Sequence, residues 1–306
     1  MNRVGVTSAI AIACVFAGLV AGCSDSAPGP GVTTAAPVTT VPARTTASAR
    51  ATASTQTTAA APTNVTVRYG DAPSQFVNVG LPRDVEGSIP VVVLIHGGFW
   101  RAEYDLGLME PLAADLNQRG FATWNLEYRR VGDEGGGYPG TLDDVAAGVD
   151  AMFDRAAEFR LDLSKVTVVG HSSGGHLALW LATRDAASAG PGLRPRVAPA
   201  LAIGLGPVFN LVSAAEEGLG GGAVSQFFGG SIDDASALDI ATPALASTTP
   251  LVVVRGADDD IVPARFTEPA VAGSADRVRY VDVPGDHFAL IDPSSAAWAA
   301  VVDLLG

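Results

Sequence analysis

The residues most able to do chemistry lie in Val166-Thr167-Val168-Val169-Gly170-His171-Ser172-Ser173-Gly174-Gly175-His176, which runs on into Leu177-Ala178-Leu179-Trp180. A β-branched run, a Gly-x-Ser-x-Gly turn and a helix-forming run in that order are what a nucleophile elbow requires. Such a turn exposes the Ser172 hydroxyl at its tip, and Gly170 and Gly174 let strand and helix approach without a Cβ between them. The unpaired N–H groups at the start of the helix, Ser173 first, would face an oxyanion formed at Ser172. Only the backbone of Ser173 is expected to matter. No Lys follows the glycines, which excludes a P-loop, and the spacing is not G-x-G-x-x-G.

A second apolar run, Pro90 to Ile95, ends in His96-Gly97-Gly98-Phe99-Trp100. Adjacent glycines let the main chain reach a substrate carbonyl, so Gly97 and Gly98 are the expected partners of Ser173 in an oxyanion site. Phe99 and Trp100 are candidates for a substrate-pocket wall or for loop packing, and His96 for fixing the loop. The chain has four histidines. Three belong to the two glycine-rich motifs, which leaves His287, after the last predicted strand, as general base and acid. The acid that orients it is expected after the strand Leu251 to Val254, where Asp258, Asp259 and Asp260 stand together; Asp286 is too close in sequence to reach the ring. No His-x-x-x-His or Cys pairing accompanies these residues, so neither a metal site nor a cofactor is expected.

The elements needed to position these groups are legible as alternating strands and helices. Val65 to Tyr69 and Gln75 to Val79 read as short alternating strands. Pro90 to Ile95, Phe121 to Tyr128, Val166 to Val169, Pro199 to Leu205, Leu251 to Val254 and Val278 to Val283 read as further strands, several of them apolar throughout, as in a sheet covered on both faces. Helices are expected over Leu106 to Arg119, over Leu142 to Phe159 with Thr141 as N-cap, around Phe266 to Ala272 and over Ser294 to Leu305. The pattern predicts a mostly parallel α/β sheet flanked by helices, with Asn210 to Pro250 as a small partial cap of short helices beside the site.

The N-terminus is of another kind. Residues 1–22 carry Arg3 and an apolar run ending in Leu19-Val20-Ala21-Gly22-Cys23, the form of a cleaved signal whose end resembles the bacterial lipobox; Cys23 would then be lipidated, the alternative being an ordinary secretory signal and a secreted protein. Residues 23–64 are Thr, Ala, Pro and Ser with few charges, a composition unable to bury enough apolar surface to order itself, so a tether is expected. The catalytic domain is expected over 65–306, held by a lipid anchor at the outer face of a membrane. With Cys14 lost in the signal, Cys23 has no partner for an intramolecular disulfide. The net charge of −13 argues against nucleic-acid binding, which needs a basic stripe.

Residues 65 to 306 resemble the α/β-hydrolase superfamily, and within it the branch of kynurenine formamidases, feruloyl-esterase-like proteins and carboxylesterases. The resemblance rests on His96-Gly97-Gly98-Phe99-Trp100, on Gly170 to His176, on Gly256-Ala257-Asp258-Asp259-Asp260-Ile261-Val262-Pro263 and on His287-Phe288. It implies Ser172 as nucleophile, His287 as base and Asp259, four residues before Pro263, as acid. It also implies a small-molecule ester substrate, with an arylformamide as the alternative; a non-catalytic envelope protein on the same scaffold is the reading from another class.

Overall fold

The computed structural model describes residues 63–184, 195–230, 232, 235–268 and 278–306. The expected signal, Cys23 and the tether up to residue 62 lie outside the described residues. Among those described, an eight-stranded sheet runs in the order β1-β2-β4-β3-β5-β6-β7-β8. Its strands are β1 Thr63–Arg68, β2 Phe76–Leu81, β3 Ile89–Ile95, β4 Ala122–Leu126, β5 Leu161–His171, β6 Leu201–Leu205, β7 Leu251–Gly256 and β8 Val278–Val283. β2 pairs antiparallel with both of its neighbours, β1 and β4; every other pairing is parallel.

The apolar runs are continuous because successive side chains enter two different cores. On β3, Val91, Val93 and Ile95 face one core with Val166 and Val168 of β5, while Val92 and Leu94 face the other with Val169. Helices α2 (Gly140–Asp150), α3 (Met152–Phe159) and α4 (Ser173–Ala182) cover the first face; α1 (Glu110–Gln118) and α8 (Ala296–Val302) cover the second. Every residue of α4 is buried, so this helix lies at the centre of its layer and the turn before it is held from all sides. No helix among the described residues is long and apolar enough to cross a membrane.

Several expected elements change on folding. The helix expected over 106–119 opens as a 3-10 turn at Leu106–Met109 before α1. That expected over 142–159 is two helices, interrupted at Ala151. Thr141 is not a cap: it lies inside α2, where its hydroxyl donates to Arg129 O and accepts from Gly137 N, a tertiary use that overrides its capping preference. The helix expected around 266–272 is a 3-10 turn at Ala264–Phe266, and 269–277 lie outside the described residues. The excursion after β6 forms α5 (Leu211–Glu216), α6 (Leu219–Phe227) and α7 (Ala235–Ala241). Its buried residues, among them Leu211, Val224 and Phe227, join the first core, so this segment is packed into the body.

Candidate active site

β5 delivers Ser172 at φ 57, ψ −121, a left-handed conformation that costs a non-glycine residue on the order of 1–3 kcal/mol. The surroundings enforce it. A Cβ on Gly170 would collide with the Gly174 backbone, and one on Gly174 with the carbonyls of Ile95 and His96, so strand and helix close on the serine from both sides. Ser172 N–H donates to Leu205 O at 2.8 Å and its carbonyl accepts from Val208 N–H at 3.3 Å, tying the turn to the end of β6.

Beyond β6, the loops after β7 and β8 bring Asp259 and His287 together. His287 Nδ1–H donates to Asp259 Oδ2 at 2.7 Å, with both side chains under 5% exposed. A carboxylate only accepts, so this bond sets the tautomer and leaves Nε2 of a neutral ring as the proton acceptor. The other oxygen, Oδ1, accepts from Ile261 N–H and Val262 N–H at 3.1 and 2.8 Å, which fixes the carboxylate plane. Asp258 and Asp260 are exposed. Asp286 caps its own turn, accepting from Phe288 N–H and Ala289 N–H. The pair lies beside the serine turn: a Cβ on Gly206, next to Leu205, would stand 2.9 Å from Asp259 Oδ2 and 3.0 Å from His287 Nδ1. No side-chain hydrogen bond among the described residues joins His287 Nε2 to Ser172 Oγ; such bonds are often long until substrate binds.

The loop after β3 approaches from the opposite side. A Cβ on Gly97 would fall 2.9 Å from Ser172 Cβ, so the close approach requires glycine there. Its base is a buried polar cluster in which His96 Nε2 meets Glu127 Oε1 at 3.1 Å, Arg130 reaches the same oxygen at 2.9 Å and Leu106 N–H donates to Oε2. His96 also stacks on Tyr128 with centroids 4.4 Å apart, while the Tyr128 hydroxyl donates to His96 O at 2.8 Å. His96 therefore fixes the loop, as its position suggests.

The Trp100 indole packs in the interior beside this loop. It is fully buried, packed against Phe227 at 5.0 Å and edge-on to His176 at 5.5 Å. Phe99 and Trp100 both hold positive φ, 55 and 57, and burial of the indole offsets that strain. Phe99 remains half-buried against Gly220. Nor is the Ser173 side chain idle: its Oγ accepts the Trp100 N–H at 3.2 Å, a bond from the turn after β5 to the loop after β3. Nothing in the local sequence signals this bond, because its partner lies 73 positions away. Among the described residues, no cluster of His, Cys, Asp or Glu could hold a metal ion.

His171 and His176 are both buried and held neutral. Burial, and secondarily the neighbouring His287, lowers His171 to about 3; burial lowers His176 to about 4. His171 Nε2–H donates to His287 O at 3.0 Å and His176 Nε2–H to Ala241 O at 2.8 Å.

Comparison with known proteins bears on the family and the fold. Over 129 residues, 42% of this chain, it is 31% identical to the carboxylesterase NlhH of Mycobacterium tuberculosis, covering 40% of that protein. It is 26% identical over 113 residues, 37% of this chain, to a probable isoprenylcysteine alpha-carbonyl methylesterase of Arabidopsis thaliana, covering 23% of it. With the kynurenine formamidase of Danio rerio it shares 26% identity over 125 residues, 40% of each chain. The matches thus span well under half of these curated relatives. In fold it is similar to the crystal structure of esterase B from Lactobacillus rhamnosis, with a TM-score of 0.67, 21% identity, and coverage of 80% of this chain and 84% of that one. The BD-FAE family model matches residues 77–269, the stretch that carries both glycine-rich motifs and Asp259, and the chain belongs to the BD-FAE family, in the esterase branch of the α/β-hydrolase fold.

Proposed function

We propose that this protein is a serine hydrolase of carboxylic esters, with Ser172 as nucleophile, His287 as base and acid, Asp259 as orienting carboxylate, and the N–H groups of Gly97, Gly98 and Ser173 around the oxyanion. The observation that carries the reading is the buried Asp259–His287 bond of 2.7 Å beside a serine held at φ 57. Ser172 Oγ adds to the ester carbonyl carbon as its proton passes to His287 Nε2, and the carbonyl oxygen becomes an oxyanion facing the backbone donors. Collapse expels the alcohol, which takes the proton from His287 and leaves an acyl-Ser172. Water then repeats the sequence: His287 removes its proton, the carboxylic acid departs, and Ser172 regains its hydrogen.

The carboxylesterase and methylesterase names among the relatives support an ester; the formamidase name supports an arylformamide as the second reading. A panel of p-nitrophenyl esters and N-formyl anilides separates them. Faster cleavage of the anilides would replace the ester reading, and failure of Ser172 to label with a fluorophosphonate would leave a non-catalytic binding protein. The signal-like N-terminus and the small residues before Cys23 support export and lipid anchoring at Cys23, with the folded domain on the outer face of the membrane.

A further inference from the structure

Three buried polar groups near the site lack partners among the described residues: Trp100 Nε1, His176 Nδ1 and His171 Nδ1. The last stands where three loops meet. His171 follows Gly170 and precedes Ser172, is 2% exposed, and lays its ring on that of His287 with centroids 4.4 Å apart at 45°. Because a carbonyl only accepts, the 3.0 Å contact to His287 O places the imidazole hydrogen on Nε2 and makes Nδ1 a lone pair. That lone pair faces the oxyanion loop: a Cβ on Gly97 would stand 3.1 Å from it.

We propose that His171 is a positioning residue, whose Nε2–H and ring face lock the backbone of the His287 loop to the turn that carries Ser172. The inference rests on the roles proposed above for Ser172 and His287. Asp259 fixes how the His287 ring is rotated and protonated, whereas His171 fixes where the loop stands relative to the nucleophile. The bond joins residues 116 positions apart, so it registers the ends of two strands that are not neighbours in the sheet. Misplacing a base by about 1 Å costs on the order of 10²-fold in rate, which makes such a lock consequential. The neutral state suits it: a second cation against His287 would oppose the imidazolium that forms as Ser172 attacks.

An ordinary core histidine would matter only for stability, and two variants separate the roles. His171→Phe keeps a ring for stacking but has no N–H; His171→Gln keeps an N–H donor at a similar reach. His171→Phe is expected to lower kcat on a p-nitrophenyl ester by about 10²-fold with KM within about threefold. It should also speed amide exchange at Phe288 and Ala289 by about tenfold or more, while His171→Gln stays within about tenfold in kcat and near wild type in exchange. Urea unfolding at pH 7.5 measures the folded fraction of each variant. The proposal is overturned if His171→Phe matches wild type in kcat and exchange, if both variants lose kcat equally with exchange unchanged, or if the loss tracks the unfolded fraction. Should the wild-type protein hydrolyse no ester or formamide, the functional reading fails, while the exchange comparison still decides whether His171 locks the loop.

Discussion

Lowering the pH from 7.5 to 5 should destabilise the fold through His171 and His176. In the unfolded chain both imidazoles take up a proton near 6.5; in the folded protein burial holds them at about 3 and about 4. The unfolded state therefore binds more protons throughout this window, so stability is full above pH 6.5 and is lost as the pH falls toward the folded values. At pH 5 each unfolded imidazole is nearly fully protonated and each folded one nearly neutral, which gives about 2 kcal/mol per histidine, or about 4 kcal/mol for the pair. Domains of this kind have roughly 5–15 kcal/mol in total, so the change is large. Carboxylates held low by their partners, Asp115 and Asp282 among them, act only at more acid pH and stay out of the window. Asp143, raised by burial, works weakly in the opposite direction. The assay is urea unfolding at the two pH values, for the wild type and for His176→Gln, which keeps a donor for Ala241 O but does not titrate. The wild type should lose about 4 kcal/mol and the variant about 2 kcal/mol. Equal wild-type stability at pH 7.5 and 5, or an undiminished loss in the variant, would refute the assignment of these two groups as buried and neutral.

Asp259→Asn should fold yet lose about 10⁴-fold in kcat: an amide can turn its oxygen to the Ile261 and Val262 N–H groups and its NH2 to His287 Nδ1, forcing the wrong tautomer. Asp258→Asn and Asp260→Asn should stay within about tenfold, a loss of at most about 1.4 kcal/mol in the barrier, and kcat/KM of the three on one activated ester decides it. Ser172→Ala should abolish fluorophosphonate labelling and lower kcat by about 10⁴-fold or more. Ser173→Ala should label fully but lose about 1–3 kcal/mol of stability by stranding the Trp100 N–H, read as a urea midpoint; unchanged stability would mean that this bond holds nothing. Cys23→Ser should move the protein from the membrane to the soluble fraction of its host, and an unmodified wild-type N-terminus would remove the anchor.

Sequence alone determined the features whose geometry is set within a few residues. The Gly-x-Ser-x-Gly turn announces its conformation because a Cβ at Gly170 or Gly174 has nowhere to go. The apolar runs of β3 and β5 announce a doubly covered sheet because each alternates between two cores. His287 could be singled out because so few histidines exist, and the order of strands and helices was legible from the alternation of patterns. Spacing to Pro263, through the family resemblance, pointed to Asp259. What only the tertiary structure decided are the partners brought in from far along the chain. That Trp100 packs into the core follows from Phe227 and His176. That Ser173 Oγ holds the loop after β3 follows from β3 and β5 lying side by side. Thr141 leaves its capping role because Arg129 O lies within its reach, and His171 meets His287 because β6 and β7 set the distance between β5 and β8. Hydrogen bonding and packing act over a few ångströms in space, whereas a sequence pattern extends only over neighbours along the chain; where the two differ by a hundred residues, the sheet order decides.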